Sequence, residues 1–227
     1  MKTIGKIDPD LANWNDRMYA LHPTPYESGI AAYIQKRRVH HVLKLANLQS
    51  GEKVLELGCE SGKLLAACPN DVEISGADIS TKALADADDL FRSKGRTATL
   101  IQVDAMQPLP FERGSFNVII CSEMLEHVSN PTLVISQIAY ICTPETRVIL
   151  TVPIEAPKVF IKNVLFKLGL IRLFFPNIEA GQSEWHLQSF SKSMLRGILD
   201  KQFEILKIKN IWGCHLVASI KLTGEQS

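Results

Sequence analysis

Apolar and polar positions along this chain follow two alternating periods. From Ser28 to Leu48, "SGIAAYIQKRRVHHVLKLANL" sets Ile30, Ile34, Val42 and Leu45 on one side, the spacing of an amphipathic helix. The basic run Lys36 to Arg38 interrupts that stripe and reads as a solvated face. Upstream, residues 1–27 hold no such period and read as irregular, with "HPTPYES" (His22–Ser28) a Pro-rich turn before the helix. Beyond Leu48 the pattern changes to short apolar runs separated by helical stretches. "KVLELG" (53–58), "VEISGAD" (72–78), "ATLIQVD" (98–104), "FNVIICS" (116–122) and "TRVILTVP" (146–153) read as strands. Between them lie a short helix from about Gly62 to Cys68, a second at 81–94 and a third at 130–142. The third is opened by Asn130 as N-cap and Pro131 at the first helical position.

Strands apolar on both faces and separated by helices call for a buried parallel sheet. The C-terminal pattern differs. The helix "SKSMLRGILDK" leads into "FEILKIKNIW" and "CHLVASIKL", two runs with little more than Gly213 between them. So short a link requires an antiparallel pair. Residues 1–48 form an N-terminal cap and helix, 49–153 a binding core, 154–190 a lid insertion, and 191–227 the helix and hairpin that complete the same domain.

Composition narrows the class. The 227 residues carry 25 basic and 24 acidic side chains and are 46% hydrophobic, the balance of an ordinary globular domain. A net charge of +1 advertises no nucleic acid. The five cysteines show no paired spacing, which argues against a disulfide scaffold or a zinc site and fits a cytoplasmic location; no metal is expected. The most apolar stretch, from Lys158 to Phe175, holds twelve apolar and four basic residues and no acid. It falls short of the roughly 18 uninterrupted apolar residues of a membrane span, so it reads as a lid helix over the sheet edge, as a hydrophobic wall for a lipid-like or aromatic acceptor, or as a peripheral membrane contact through its basic residues.

The chemistry concentrates at "VLELGCESGKLL" (Val54–Leu65), a strand, a Gly-rich turn and a helix start. A phosphate loop needs four residues between its glycines, then Lys and Ser or Thr; here three separate Gly58 from Gly62, and Leu64 follows Lys63. A dinucleotide fingerprint needs glycine at its first, third and sixth positions, where this chain has Gly58, Glu60 and Lys63. Counting excludes both.

What remains is Glu56, then Gly58 and Gly62, and this resembles the first motif of the class I S-adenosylmethionine-dependent methyltransferases. It departs from that motif at Glu60, where the family usually has glycine. "FNVIICSEMLEHV" and "WHLQSFSKSMLRGIL" resemble the small-molecule branch of that family, which includes ubiquinone and menaquinone methyltransferases. The resemblance implies a Rossmann-like α/β fold: a seven-stranded, mostly parallel sheet with helices on both faces and a C-terminal antiparallel hairpin.

It also implies S-adenosyl-L-methionine as cofactor and a set of contacts at successive strand ends. Glu56 would act on the ammonium, with backbone N–H groups around Gly58, Cys59 and Gly62 meeting the carboxylate. Asp78 would accept from the ribose hydroxyls, Ile79 and Met106 would flank the adenine, and Asp104 with Ala105 would meet its amino edge. Cys121, near the end of the fourth strand, would be a further cofactor contact, and Glu123, Glu126 and His127 would sit where the cofactor's methyl end faces a substrate. His127 and His186 are the candidate bases, and Trp14, Tyr19, Tyr26 and Trp185 could close the site. Such a chain would methylate a small-molecule acceptor. The alternative is a non-catalytic subunit that keeps the fold and serves a partner, and Glu60 favours it. A nucleic-acid methyltransferase would show an Asn/Asp-Pro-Pro-aromatic motif, which is absent.

Overall fold

A computed structural model describes residues 6–21, 29–154 and 187–224. Its seven strands are β1 (Lys53–Leu57), β2 (Glu73–Asp78), β3 (Thr99–Gln102), β4 (Val118–Ser122), β5 (Arg147–Pro153), β6 (Phe203–Ile211) and β7 (His215–Leu222). They form one sheet in the order β3-β2-β1-β4-β5-β7-β6. The first five are parallel; β7 runs antiparallel between β5 and β6, as the short link at Gly213 requires. The expected fold is the observed one.

The helices are α1 (Pro9–Leu21), α2 (Gly29–Ala46), α3 (Thr81–Ser93), α4 (Pro131–Ile141) and α5 (Lys192–Leu199). Side-chain caps start three of them. Ser80 accepts from the Ala83 N–H, Asn130 from that of Leu133, and Ser191 from that of Met194. One sheet face packs against α4 and α5 through residues such as Ile135, Ile138, Leu195 and Leu199. The other packs against α2 and α3 through Val42, Ala46, Ala87 and Phe91. Four of the five thiols are buried; burial pushes Cys68 and Cys142 up to about 12 and holds Cys59 and Cys121 high as well. Cys214, at the β6–β7 turn, is partly exposed.

Three local expectations change. Residues 9–21 are helical rather than irregular. The Asp8 carbonyl accepts from the Ala12 N–H, Pro9 opens the first turn, and the helix finds its partner in α3: Asp16 accepts from Ser80 Oγ at 2.6 Å and Thr81 Oγ1 at 2.8 Å. A helix stabilised by so distant a neighbour leaves little trace in its own apolar period. The helix after Gly62 shrinks to a single 3-10 turn, Leu65–Ala67. Finally, β3 ends at Gln102, so Asp104 belongs to the following turn.

Candidate cofactor and acceptor site

Strand β1 has β2 on one side and β4 on the other, so the direction of winding reverses between β1 and β4. In open α/β sheets ligands bind at the carboxyl edge beside such a reversal. Glu56, Gly58, Asp78, Asp104 and Glu123 all stand at or just beyond that edge.

The loop after β1 bends through three residues with positive φ: Gly58 at 77°, Glu60 at 47° and Gly62 at 72°. A Cβ on Gly58 would lie 2.7 Å from Met124 Cγ, and one on Gly62 2.7 Å from Phe91 Cζ. Both glycines therefore permit close packing as well as the bend. Glu60 holds a left-handed conformation at a cost of about 1 kcal/mol, a physical reason for the glycine usual at this position.

The loop's N–H groups are committed internally. Gly58 and Cys59 donate to the Ala77 carbonyl at 2.7 and 3.1 Å, Glu60 to Asp78 Oδ2 at 2.9 Å, and Gly62 to the Cys59 carbonyl at 2.8 Å. Strand pairing and the turn itself thus use the Gly58, Cys59, Glu60 and Gly62 donors, with which a ligand carboxylate would have to compete. The side chain of Cys59 is buried too, against Gly76, and the Cys121 thiol lies wholly within the core.

The acids are better placed. Glu56 is 3% exposed and its Oε2 has no hydrogen-bond partner. Burial raises its pKa well above the carboxylate range, against the pull of Arg38 and reinforced by Glu60 and Asp78. Burial raises Asp78 as well, although Ser80 and Glu60 N–H groups each donate to it at 2.9 Å. Asp104 accepts from the Met106 N–H at 2.9 Å, closing a turn that sets Ala105 and Met106 beyond β3. Gln102 donates to the Ile79 carbonyl at 3.0 Å and fixes the neighbouring loop.

A second cluster spans the ends of β4, β5 and β7. Arg38 turns inward from α2, donating to Ser122 Oγ at 2.5 Å and Thr151 Oγ1 at 3.4 Å, with Glu123 Oε1 at 3.9 Å. Thr151 Oγ1 donates to Glu123 Oε1 at 2.8 Å, and His215 Nε2 stands 3.1 Å from Glu123 Oε2. His215 is 3% exposed and its Nδ1 has no partner. Burial alone would raise the Glu123 pKa, but Arg38, His215 and the Thr151 hydroxyl reverse the balance and bring it to about 2. Glu123 itself takes φ 54°, which carries its side chain back over β5.

Reading Lys36–Arg38 as a solvated face is thus wrong for Arg38. The sign was available: Ile34, Arg38 and Val42 are four residues apart, so a cation stood on the apolar stripe. Thr151 and His215 were also visible as polar residues in apolar strands, but nothing local joined them.

The segment after β4 forms a 3-10 turn at Leu125–His127. His127 Nε2 is 3.8 Å from the buried Glu126 Oε1. Leu187 donates its N–H to the Glu126 carbonyl at 2.8 Å, and Gln188 Nε2 reaches the Val128 and Ser129 carbonyls. The chain leaving the insertion is therefore anchored on the "EMLEHV" turn. His186, Trp185, Tyr26 and the stretch 158–175 lie outside the described residues. Tyr19 donates to Asp86 Oδ2 at 2.6 Å and so docks α1 on α3.

Residues 30–206 match the family described as a methyltransferase domain. The chain belongs to this methyltransferase-domain family. Among the relatives of this methyltransferase-domain chain, the ubiquinone biosynthesis O-methyltransferase of Pseudomonas aeruginosa (strain LESB58) is 32% identical over 163 residues, 71% of this chain and 67% of that protein. The enzyme of the same name from Thiobacillus denitrificans is 35% identical over 96 residues, which is 42% of this chain and 41% of the relative. The chain thus spans only about two fifths of that relative's length. In structure, the [4+2]-cyclase SpnF aligns with a TM-score of 0.71 at 16% identity, over 93% of this chain and 96% of that one. The N-methyltransferase NodS of Bradyrhizobium japonicum WM9, solved with S-adenosyl-L-homocysteine, aligns at 0.65 and 14% identity, over 93% and 97%. These two likenesses concern the fold alone, and a cyclase among them is a reminder that the fold does not choose the reaction.

Proposed function

We propose that the protein transfers a methyl group from S-adenosyl-L-methionine to a small-molecule acceptor bearing a hydroxyl group. The observation that carries this reading is Glu56: a buried carboxylate with an unpartnered oxygen, placed at the winding reversal between β1 and β4. The Leu65 backbone hydrogen-bonds to this carboxylate, but the second oxygen is left unsatisfied at a cost that a bound ammonium would remove. Asp78 supplies acceptors for a ribose one strand away. Asp104, Ala105, Met106 and Ile79 border the space for an adenine beyond β2 and β3. Arg38, close enough to influence Glu56, Glu60 and Glu123 alike, supplies a cation for the cofactor carboxylate.

When bound, the cofactor supplies an electrophilic methyl group. The chain's residues have to align the acceptor, exclude water and take a proton. His127, on the turn after β4, and His186, one residue before the anchored Leu187, are the proposed bases. The hydroxyl acceptor is supported by the relatives named as O-methyltransferases. The apolar and basic composition of 158–175 suits an acceptor with an apolar body.

Titration calorimetry with S-adenosylmethionine and S-adenosylhomocysteine tests the cofactor half of the reading. Wild type should bind both, and Glu56→Gln should weaken them at least about tenfold while raising the melting temperature of the free protein at neutral pH. Failure of wild type to bind either ligand would favour the non-catalytic alternative. Transfer of a radiolabelled methyl group to a short-chain prenylated catechol tests the acceptor half.

A further inference from the structure

Helix α2 presents one side to the Arg38 cluster and another to solvent. Tyr33, Lys36, His40 and Lys44 are all exposed and fall at intervals of three and four residues, which places them on one face. From Gly29 to Gly51 the chain contains no Asp or Glu. The hairpin beside this helix continues the pattern. Lys207 and Lys209 alternate with Ile208 on β6 and point to the same side as Ile211, which packs with Val42 and Ala46 of α2. No acid occurs between Lys207 and Cys214. The crowding of cations is felt by His41, whose pKa is lowered by burial and then by Lys209, Arg37, His40 and Lys44.

An aromatic pair stands at one end of this face. Trp212 occupies the β6–β7 turn with φ 52°, is 59% exposed, and meets Tyr33 with ring centroids 5.2 Å apart. The turn is held firmly: Gly213 N–H donates to Asn210 Oδ1 at 2.7 Å and Cys214 N–H to the Ile211 carbonyl at 2.9 Å. It lies at the carboxyl edge of the sheet, since His215 pairs with Pro153 and the Ile154 N–H donates to the Cys214 carbonyl at 2.8 Å. The same edge carries Glu123 and the inward end of Arg38. At the opposite end of the sheet, α1 and α3 carry Asp10, Asp16, Asp86, Asp88 and Asp89 against Arg17, Lys82 and Arg92, five acids to three bases and thus a mildly acidic balance. A chain of nearly zero net charge thus keeps one face cationic and aromatic, while the far end of the sheet is mildly acidic.

We infer that the α2 face and the β6–β7 turn dock on an anionic bilayer surface, with Lys36, Lys44 and Lys209 over the headgroups and the Tyr33–Trp212 pair at the interface. The charge complements such a surface, and Trp and Tyr, apolar in body and polar at the tip, suit that depth. The mildly acidic far end turns the molecule so that the cationic face approaches first. Docking of this kind brings the acceptor edge of the sheet to the membrane. It uses residues other than 158–175 and does not depend on methyl transfer.

Sedimentation with vesicles of phosphatidylglycerol and phosphatidylcholine in equal parts, and with phosphatidylcholine alone, tests it. The full chain should pellet with the anionic vesicles, weakly with the neutral ones, and less as salt rises. Each of Lys36→Gln, Lys44→Gln and Lys209→Gln should weaken binding about fivefold, and the three together on the order of a hundredfold. Trp212→Ser should reduce binding several-fold. Unchanged binding of S-adenosylhomocysteine and an unchanged melting temperature would show that these exposed substitutions leave the fold intact. Wild type remaining in the supernatant with anionic vesicles, variants that bind like wild type, or tighter binding to a transfer RNA pool or an acidic protein would each overturn the inference.

Discussion

The two halves of the sheet edge are built by different means. On the β1–β3 side, each candidate contact sits at the end of its own strand: Glu56 within the end of β1 and Gly58 just after it, Asp78 closing β2, Asp104 two residues past β3. On the β4–β7 side, one buried charge cluster draws on α2, β4, β5 and β7, residues separated by up to 177 positions between Arg38 and His215. The first half is a row of parts set strand by strand and joined by short local contacts such as the Glu60–Asp78 hydrogen bond. The second is a unit whose members hold one another in place, and the two should respond differently to damage.

The largest effect is expected from Arg38→Ala. It leaves the Glu123 carboxylate with a weakened set of partners in a confined site, and loss of a buried pair's partner costs about 3 kcal/mol or more. Thermal unfolding should register that loss, and calorimetry should show cofactor binding weakened at least about tenfold. Asp104→Ala, by contrast, should cost far less stability. If the two variants unfolded at the same temperature, the contrast between the halves would fail.

An acid titration sharpens the same point. The Glu123 pKa lies at about 2, below its ordinary 4.5, so the unfolded chain holds that proton more tightly than the folded one. The contribution is complete above about pH 4.5 and disappears as pH falls toward 2. Glu123→Gln should flatten this acid limb of the stability curve. Glu56 and Asp78 work in the opposite sense: their raised values favour the protonated fold, so their charge is a burden on the free protein near neutrality. An acid limb of equal steepness in wild type and Glu123→Gln, followed by chemical denaturation at each pH, would count against the cluster.

The smallest effect is expected at Glu60. Glycine there relieves a left-handed residue, so Glu60→Gly should stabilise the protein by up to about 1 kcal/mol and leave cofactor affinity equal or improved. A large loss of affinity, measured by calorimetry, would instead make Glu60 a ligand contact.

How much of this was legible in the sequence follows the same division. The succession of strands and helices, the antiparallel closure and the row of acids are legible because each depends on a few neighbouring residues and their period. Counting glycines in "GCESGK" excluded phosphate loops, yet it could not reveal that strand pairing had already used the amides of Gly58 and Cys59. Helix α1 escaped because its decisive partner, the Asp16 contact with Ser80 and Thr81, lies 64 residues away. Arg38 escaped for a different reason. Its place on the apolar stripe shows in the spacing of Ile34, Arg38 and Val42, but three adjacent helical residues face three directions, so the run Lys36–Arg38 has no single exposure.

The burial of the thiols gives the protein a practical property. Thiolates are the reacting species toward alkylating reagents, and four of the five cysteines are shut in the interior with raised pKa values. Cys214 alone is partly open, two residues from Trp212. The unaltered chain thus comes with a single addressable position for a fluorophore or spin label, at the corner where a reporter would be wanted.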